Sequence, residues 1–228
     1  MKIAAIISVT DKDDRASGCL EEVQRQIDSI EAEGKYHFSI FLNSDGRAGF
    51  QKVWEKASAE GFDFYLWIDY DLVPREDAIG VLLENSEFLR HKSIITATVC
   101  GPDKAPVFGG RNKRGKLLEP DPVIPVPCAF FDMDFALVPG YAFSCLENPS
   151  DMFRERQFDH GYGARAAKAG VKRVVAPGVL ATCSGKAEPR LLQDIVREDY
   201  HSRGFFHALQ LAMALYIKAL FTSRSKDG

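Results

Sequence analysis

Along the first hundred residues, short apolar runs alternate with longer stretches in which apolar positions recur every three or four residues. Ile3 to Val9 is nearly continuous in apolar, largely β-branched side chains, as in a strand covered by helices on both faces. CLEEVQRQIDSIEAEG then places Leu20, Val23, Ile27 and Ile30 on one helical face, and Gly34 stands where a helix would stop. His37 to Leu42 reads as a second strand. Phe50, Val53, Trp54 and Ala57 return to helical spacing before Gly61, and Phe62 to Ile68 reads as a third strand. This βαβαβ order predicts an α/β fold with a doubly wound, mostly parallel (mixed) sheet flanked by helices. Such sheets bind ligands at the carboxyl ends of their strands.

Pro74 at a first helical position, with Glu76 and Asp77 in the first turn, predicts a helix that buries Ile79, Leu82 and Leu83. Ser93 to Val99 follows as a fourth strand. Between Gly101 and Pro127 the pattern lapses: Gly and Pro are dense, and Arg111, Lys113, Arg114 and Lys116 form a basic stretch among them. This is read as a long loop or hairpin, either a solvated surface or a lid that closes over bound ligand. Apolar text from Ala129 to Val138, a helix from about Arg156 to Ala169, a strand from Val171 to Val175 and helical text after Pro189 complete the chain.

Composition narrows the function classes. With 228 residues, 46% hydrophobic and 27% charged, the chain has material for one packed domain and an appendage, divided at 1–188 and 189–228. A net charge of −3 argues against nucleic acid as a partner, because such binding relies on an extended basic face. Cys19, Cys100, Cys128, Cys145 and Cys183 are odd in number and scattered, without a C-x-x-C pair, which suits a reducing, cytoplasmic location. The apolar start is followed at once by charge, so it is read as a buried strand and not as a leader peptide.

The segment richest in chemistry is GFDFYLWIDYDLVPRED. An apolar strand ends in two carboxylates separated by one residue, and strand alternation would point Asp69 and Asp71 the same way. Two carboxylates on one side can share a hard divalent cation, Mn2+ or Mg2+, and leave positions open for phosphate oxygens.

LWIDYDLVP resembles the strand-ending D-x-D motif of the family-two glycosyltransferases, which have a GT-A nucleotide-binding fold. ISVT at Ile7 to Thr10 is similar to their first-strand signature, and NSDGR at Asn43 to Arg47 to a shortened form of their second-strand loop. FDHGYGARAAKAGVKRVVAP, from Phe158 to Pro177, resembles their later acidic and helical segment. The resemblance covers roughly residues 1–185 and implies a nucleotide-sugar donor, with a UDP-sugar favoured, and a glycan or lipid-linked acceptor hydroxyl. It implies that Thr10 or Asp11, and Asn43 or Asp45, contact the nucleotide together with Asp69. It makes Asp69 and Asp71 the metal ligands and Asp159 the catalytic base of an inverting transfer, with Arg165 six positions on. Where relatives often place a metal-binding His, this chain has Thr182, Cys183 and Ser184, and a thiol is a poor ligand for a hard metal.

Gly204 to Phe221 is apolar apart from His207, Gln210 and Lys218, with Arg224 and Lys226 beyond. It is read either as a helix packed on the domain or as a peripheral contact with the cytoplasmic face of a membrane. The alternatives to a transferase are a nucleotidyltransferase acting on sugar phosphates and a catalytically inactive GT-A binding or scaffold module.

Overall fold

A computed structural model describes residues 1–8, 15–43, 46–144 and 165–184. The first half follows the sequence pattern. Strand β1 (Lys2–Ser8) leads into helix α1 (Arg15–Glu31), β2 (His37–Asn43), helix α2 (Gly46–Glu60) and β3 (Phe64–Ile68). β1 pairs in parallel with β2 on one side and β3 on the other. Its run is apolar throughout because both faces are covered. Ile3, Ala5 and Ile7 join a core with Val23 and Ile27 of α1, while Ala4 and Ile6 join a second core with Trp54 of α2 and Tyr65 and Trp67 of β3.

The second half departs from the expected order. β4 (Leu72–Pro74) is a short strand, and helix α3 (Ala78–Phe88) begins four residues after Pro74, with Asp77 at its cap position. Pro74 is therefore not the first helical residue, because its backbone is held in register with Ala181. The N-terminus of α3 is satisfied from outside: the Ile79 N–H donates to Oε1 of the buried Gln26 on α1 at 2.9 Å. β5 (Ser93–Cys100) is buried along its whole length.

The stretch expected as a long loop carries structure. It contains β6 (Pro106–Phe108), β7 (Gly110–Arg111) and β8 (Val126–Pro127), which pair with β5, with β9 (Phe130–Phe131) and with the last strand respectively. The apolar run from Ala129 to Val138 divides into β9 and β10 (Phe135–Pro139), and helix α4 (Gly140–Ser144) follows. A helical turn at 165–168 precedes β11 (Lys172–Cys183), which is much longer than the strand predicted at Val171 to Val175.

The main sheet runs β2-β1-β3-β10-β5-β11-β4. Because β10 is antiparallel to both β3 and β5, the five strands β1, β2, β3, β5 and β11 share one direction, and only β10 and β4 oppose them on this path. The sheet is mixed and mostly parallel. One consequence positions the candidate site: the carboxyl ends of β1, β2 and β3 open on the same rim as the amino end of β10. No helix among the described residues is long and apolar enough to cross a membrane. The segment from Gly204 to Phe221 lies outside the described residues.

Candidate functional site

Strand register across the rim gathers polar residues from distant parts of the sequence. Ser8 pairs with Asn43, and Ile7 pairs with Ile68, so Asp69 lies one step beyond the register at the level of Ser8. Strands are spaced about 4.8 Å apart, which puts Asn43 and Asp69 about 10 Å from each other across the rim. Asn43 is buried at the end of β2. Thr10, Asp11, Asp45 and Asp159 lie outside the described residues, so of the predicted site residues the structure brings together Asn43, Asp69 and Asp71.

Asp69 and Asp71 do not extend a strand. β3 ends at Ile68, and residues 69–71 form a tight turn closed by the Leu72 N–H donating to the Asp69 carbonyl at 3.4 Å. Strand alternation thus cannot be what relates the two side chains, contrary to the sequence expectation; the turn does so. It is fixed on several sides. The Asp69 carboxylate accepts the Tyr70 N–H at 2.9 Å, the Asp69 N–H donates to the Asp134 carbonyl at 2.8 Å, and the Cys19 thiol donates to the Asp69 carbonyl at 3.7 Å.

The electrostatics are those of one carboxylate drawn out of water beside a second. Burial pushes the Asp69 carboxyl up to about 6, the Tyr70 N–H partly offsets this, and the nearby Asp71 charge adds to the rise. Burial, then the charges of Asp69 and Asp71, push the Cys19 thiol up to about 12, so it stands beside the pair as a neutral thiol. A cation between the carboxylates would offset both the burial and the repulsion. The donor set fits a hard divalent ion in kind, oxygen from two carboxylates. It does not enclose one: among the described residues no group of three His, Cys, Asp or Glu side chains is arranged to hold a metal. The remaining positions would fall to ligand oxygens and water.

Two further segments adjoin the turn. Leu72 pairs with Cys183, which brings Ser184 to the level of Asp71; this is where the resemblance would place a histidine, and Cys183 itself is buried. On the other side, Phe135 pairs with Ile68, so Asp134 stands directly opposite Asp69. A second D-x-D, Asp132-Met133-Asp134, was the available signal. The register that makes it relevant depends on β10 entering between β3 and β5.

The basic stretch is divided in its roles. Arg111 is consumed by the fold: its Nη2 lies 2.9 Å from Asp132 Oδ2, its Nε donates to both carboxylate oxygens, and both side chains are nearly buried. The Gly109 N–H also donates to Asp132. Lys113, Arg114 and Lys116 sit at the exposed tip between β7 and Leu117. A mobile lid using Arg111 is therefore not what these residues build.

No protein-family model and no curated protein sequence matches the chain. Among solved structures it is similar to S. aureus TarS, with a TM-score of 0.54 at 10% identity over 87% of this chain and 38% of that one. It is similar also to S. aureus TarS 1-349, with a TM-score of 0.54 at 11% identity over 93% of this chain and 69% of that one. A197 from STIV aligns with a TM-score of 0.49 at 11% identity over 84% of this chain and 98% of that one. TarS is a wall teichoic acid glycosyltransferase, and this chain spans 38% of the length of the longer TarS chain. The likeness is one of fold: the chain shares a mixed α/β sheet with these structures.

Proposed function

We propose that the chain is a metal-dependent glycosyltransferase that moves a sugar from a nucleoside diphosphate donor, with a UDP-sugar favoured, to a hydroxyl of a glycan or lipid-linked acceptor. The observation that carries this reading is the turn bearing Asp69 and Asp71 at the carboxyl end of β3, where burial and the nearby Asp71 charge raise the Asp69 carboxyl and a divalent cation would offset both. Ligands of parallel sheets bind at this rim, and the fold shared with TarS supports the same assignment. The protein acts in the cytoplasm in this reading, with the segment 189–228 available for a membrane or partner contact.

Asn43 or Asp45, with Thr10 or Asp11, hold the nucleotide over the ends of β2 and β1. Asp69 and Asp71 hold Mn2+ or Mg2+, which when bound offsets the negative charge that gathers on the departing diphosphate. Asp159 serves as general base. The acceptor oxygen bonds to the anomeric carbon from the face opposite the diphosphate, the bond from that carbon to the diphosphate oxygen breaks, and the hydroxyl proton passes to the Asp159 carboxylate. Configuration inverts and a nucleoside diphosphate leaves.

The test compares parent and Asp159→Asn for release of nucleoside diphosphate from a panel of nucleotide sugars, with Mn2+ and candidate acceptors. The substitution keeps the shape and removes the proton acceptor, so turnover should fall by roughly 10²–10⁴ with nucleotide affinity nearly unchanged. Equal turnover would remove Asp159 from the chemistry. Nucleotide binding by the parent without turnover of any donor would favour a binding module over an enzyme.

A further inference from the structure

The row of residues on the rim does not stop at the Asp69 turn. Ala136 pairs with Thr96, so one step beyond the register Asp134 lies opposite Thr98 of β5, as it lies opposite Asp69 of β3. Opposed residues share a face of a sheet. Along these strands Ile68, Phe135, Ala97 and Val99 fill one core, while Trp67, Ala136 and Ile94 fill the other. Alternation therefore assigns Ser8, Asn43, Asp134 and Thr98 to the second face, that of Trp54 and Phe131. The result is a polar line, Asn43, Ser8, Asp69, Asp134 and Thr98, over strands β2, β1, β3, β10 and β5.

We infer that Asp134 is the residue that holds the sugar of the donor, its carboxylate accepting hydrogen bonds from sugar hydroxyls. The inference rests on the proposed transferase reading and adds the sugar subsite to it. The order of the line fixes the partner of Asp134. With the nucleoside over β2 and β1 and the diphosphate at the β3 turn, the part of the donor that continues onto β10 is the sugar. Hydroxyl groups are what a half-buried carboxylate binds well, as an acceptor for charge-assisted hydrogen bonds.

A second observation points to a polar ligand at that end. Thr98 is 1% exposed and its Oγ1 has no hydrogen-bond partner, a costly state for a buried hydroxyl unless something completes it. Asp134 is also held firmly. Its carbonyl receives the Asp69 N–H, and two residues earlier Asp132 is bound by Arg111, by the Gly109 N–H and, through its carbonyl, by the Thr96 hydroxyl at 3.0 Å. A subsite on so constrained a segment is preorganised.

The experiment measures the affinity of parent and Asp134→Asn for UDP and for a panel of UDP-hexoses, with Mn2+ present, by isothermal titration calorimetry. The expected result is UDP affinity within twofold of the parent and affinity for the preferred UDP-hexose weaker by roughly tenfold to a hundredfold, the value of one or two charge-assisted hydrogen bonds. An equal loss for UDP and UDP-hexose would assign Asp134 to the diphosphate or metal and overturn the inference, and no loss for either would overturn it as well. If the parent binds no nucleotide with metal present, the transferase reading itself falls and the subsite with it. Should Asp134→Asn fail to fold, Asp134→Glu keeps the charge, displaces it by one methylene and must show the same selective loss.

Discussion

Replacing Arg111 with alanine tests whether the basic stretch between Gly101 and Pro127 serves the fold or the ligand. Asp132 is 6% exposed and Arg111 12% exposed, and they meet through a contact of 2.9 Å from Nη2 and two contacts of 3.0 and 3.1 Å from Nε. Arg111 also donates to the Gly115 carbonyl at 3.2 Å, tying the hairpin tip to its base. Removing the guanidinium leaves a buried carboxylate that still accepts the Gly109 N–H. Losing one partner of such a pair costs about 3–5 kcal/mol, a large share of the roughly 5–15 kcal/mol that holds a typical domain. For a chain of this size each 1 kcal/mol moves the melting midpoint by about 2–4 °C. Urea denaturation and calorimetry of Arg111→Ala without nucleotide should therefore show a loss of about 3–5 kcal/mol. The double variant Arg111→Met with Asp132→Leu should recover part of that loss, because it removes the stranded charge, although it orphans the Gly109 N–H at about 1–3 kcal/mol. A cost below about 1 kcal/mol for Arg111→Ala, with a defect visible only when nucleotide is bound, would refute the structural role and restore the lid.

Two further substitutions probe the frame around the site. Glu87 accepts hydrogen bonds from Lys35 and from Tyr36, and these hold its carboxyl below the usual range. Its contribution is present above about pH 4.5 and fades as pH falls through the depressed native value. With side chains 38–49% exposed, the pair is worth at most about 1 kcal/mol. Glu87→Gln should thus lower stability by that amount or less at pH 7, and by progressively less as pH falls through the depressed native value; a penalty independent of pH in denaturant titrations would contradict this. Gly140 begins α4, where an added Cβ would lie 2.3 Å from the Phe62 carbonyl oxygen. Because that atom is backbone, Gly140→Ala should cost at least the roughly 1–3 kcal/mol of an overpacked core, and an unchanged melting temperature would contradict the close approach of Gly140 to the Phe62 carbonyl.

The first half of the fold was legible because each element there carries its own period. β1, α1, β2, α2 and β3 announce themselves by unbroken apolar runs or by spacings of three and four, and their parallel order follows from the helices between them. The second half was less legible because its order depends on pairing that no local pattern encodes. FALVP reads as a strand, but nothing in it says that it enters antiparallel between β3 and β5. Pro74 looked like a helix start because proline suits that position, whereas tertiary pairing with Ala181 claimed it for β4. The spacing of Asp69 and Asp71 marks them as a pair, yet strand alternation does not relate their side chains, because both lie in a turn. The spacing of Asp132 and Asp134 does not by itself place Asp134 opposite Asp69, because that depends on the register of β10 with β3. Arg111 was grouped with Lys113, Arg114 and Lys116 by charge, although burial beside Asp132 gives it a different task.

The central claim is that the turn after β3 binds a donor through a divalent cation. Isothermal titration of UDP into the parent and into Asp71→Ala, with Mn2+ and with chelator, addresses it without requiring the acceptor. The account predicts that Mn2+ strengthens UDP binding to the parent by at least tenfold, about 1.4 kcal/mol, and that Asp71→Ala removes this gain while its circular dichroism and melting transition stay close to those of the parent. UDP affinity indifferent both to the metal and to the loss of Asp71 would contradict it.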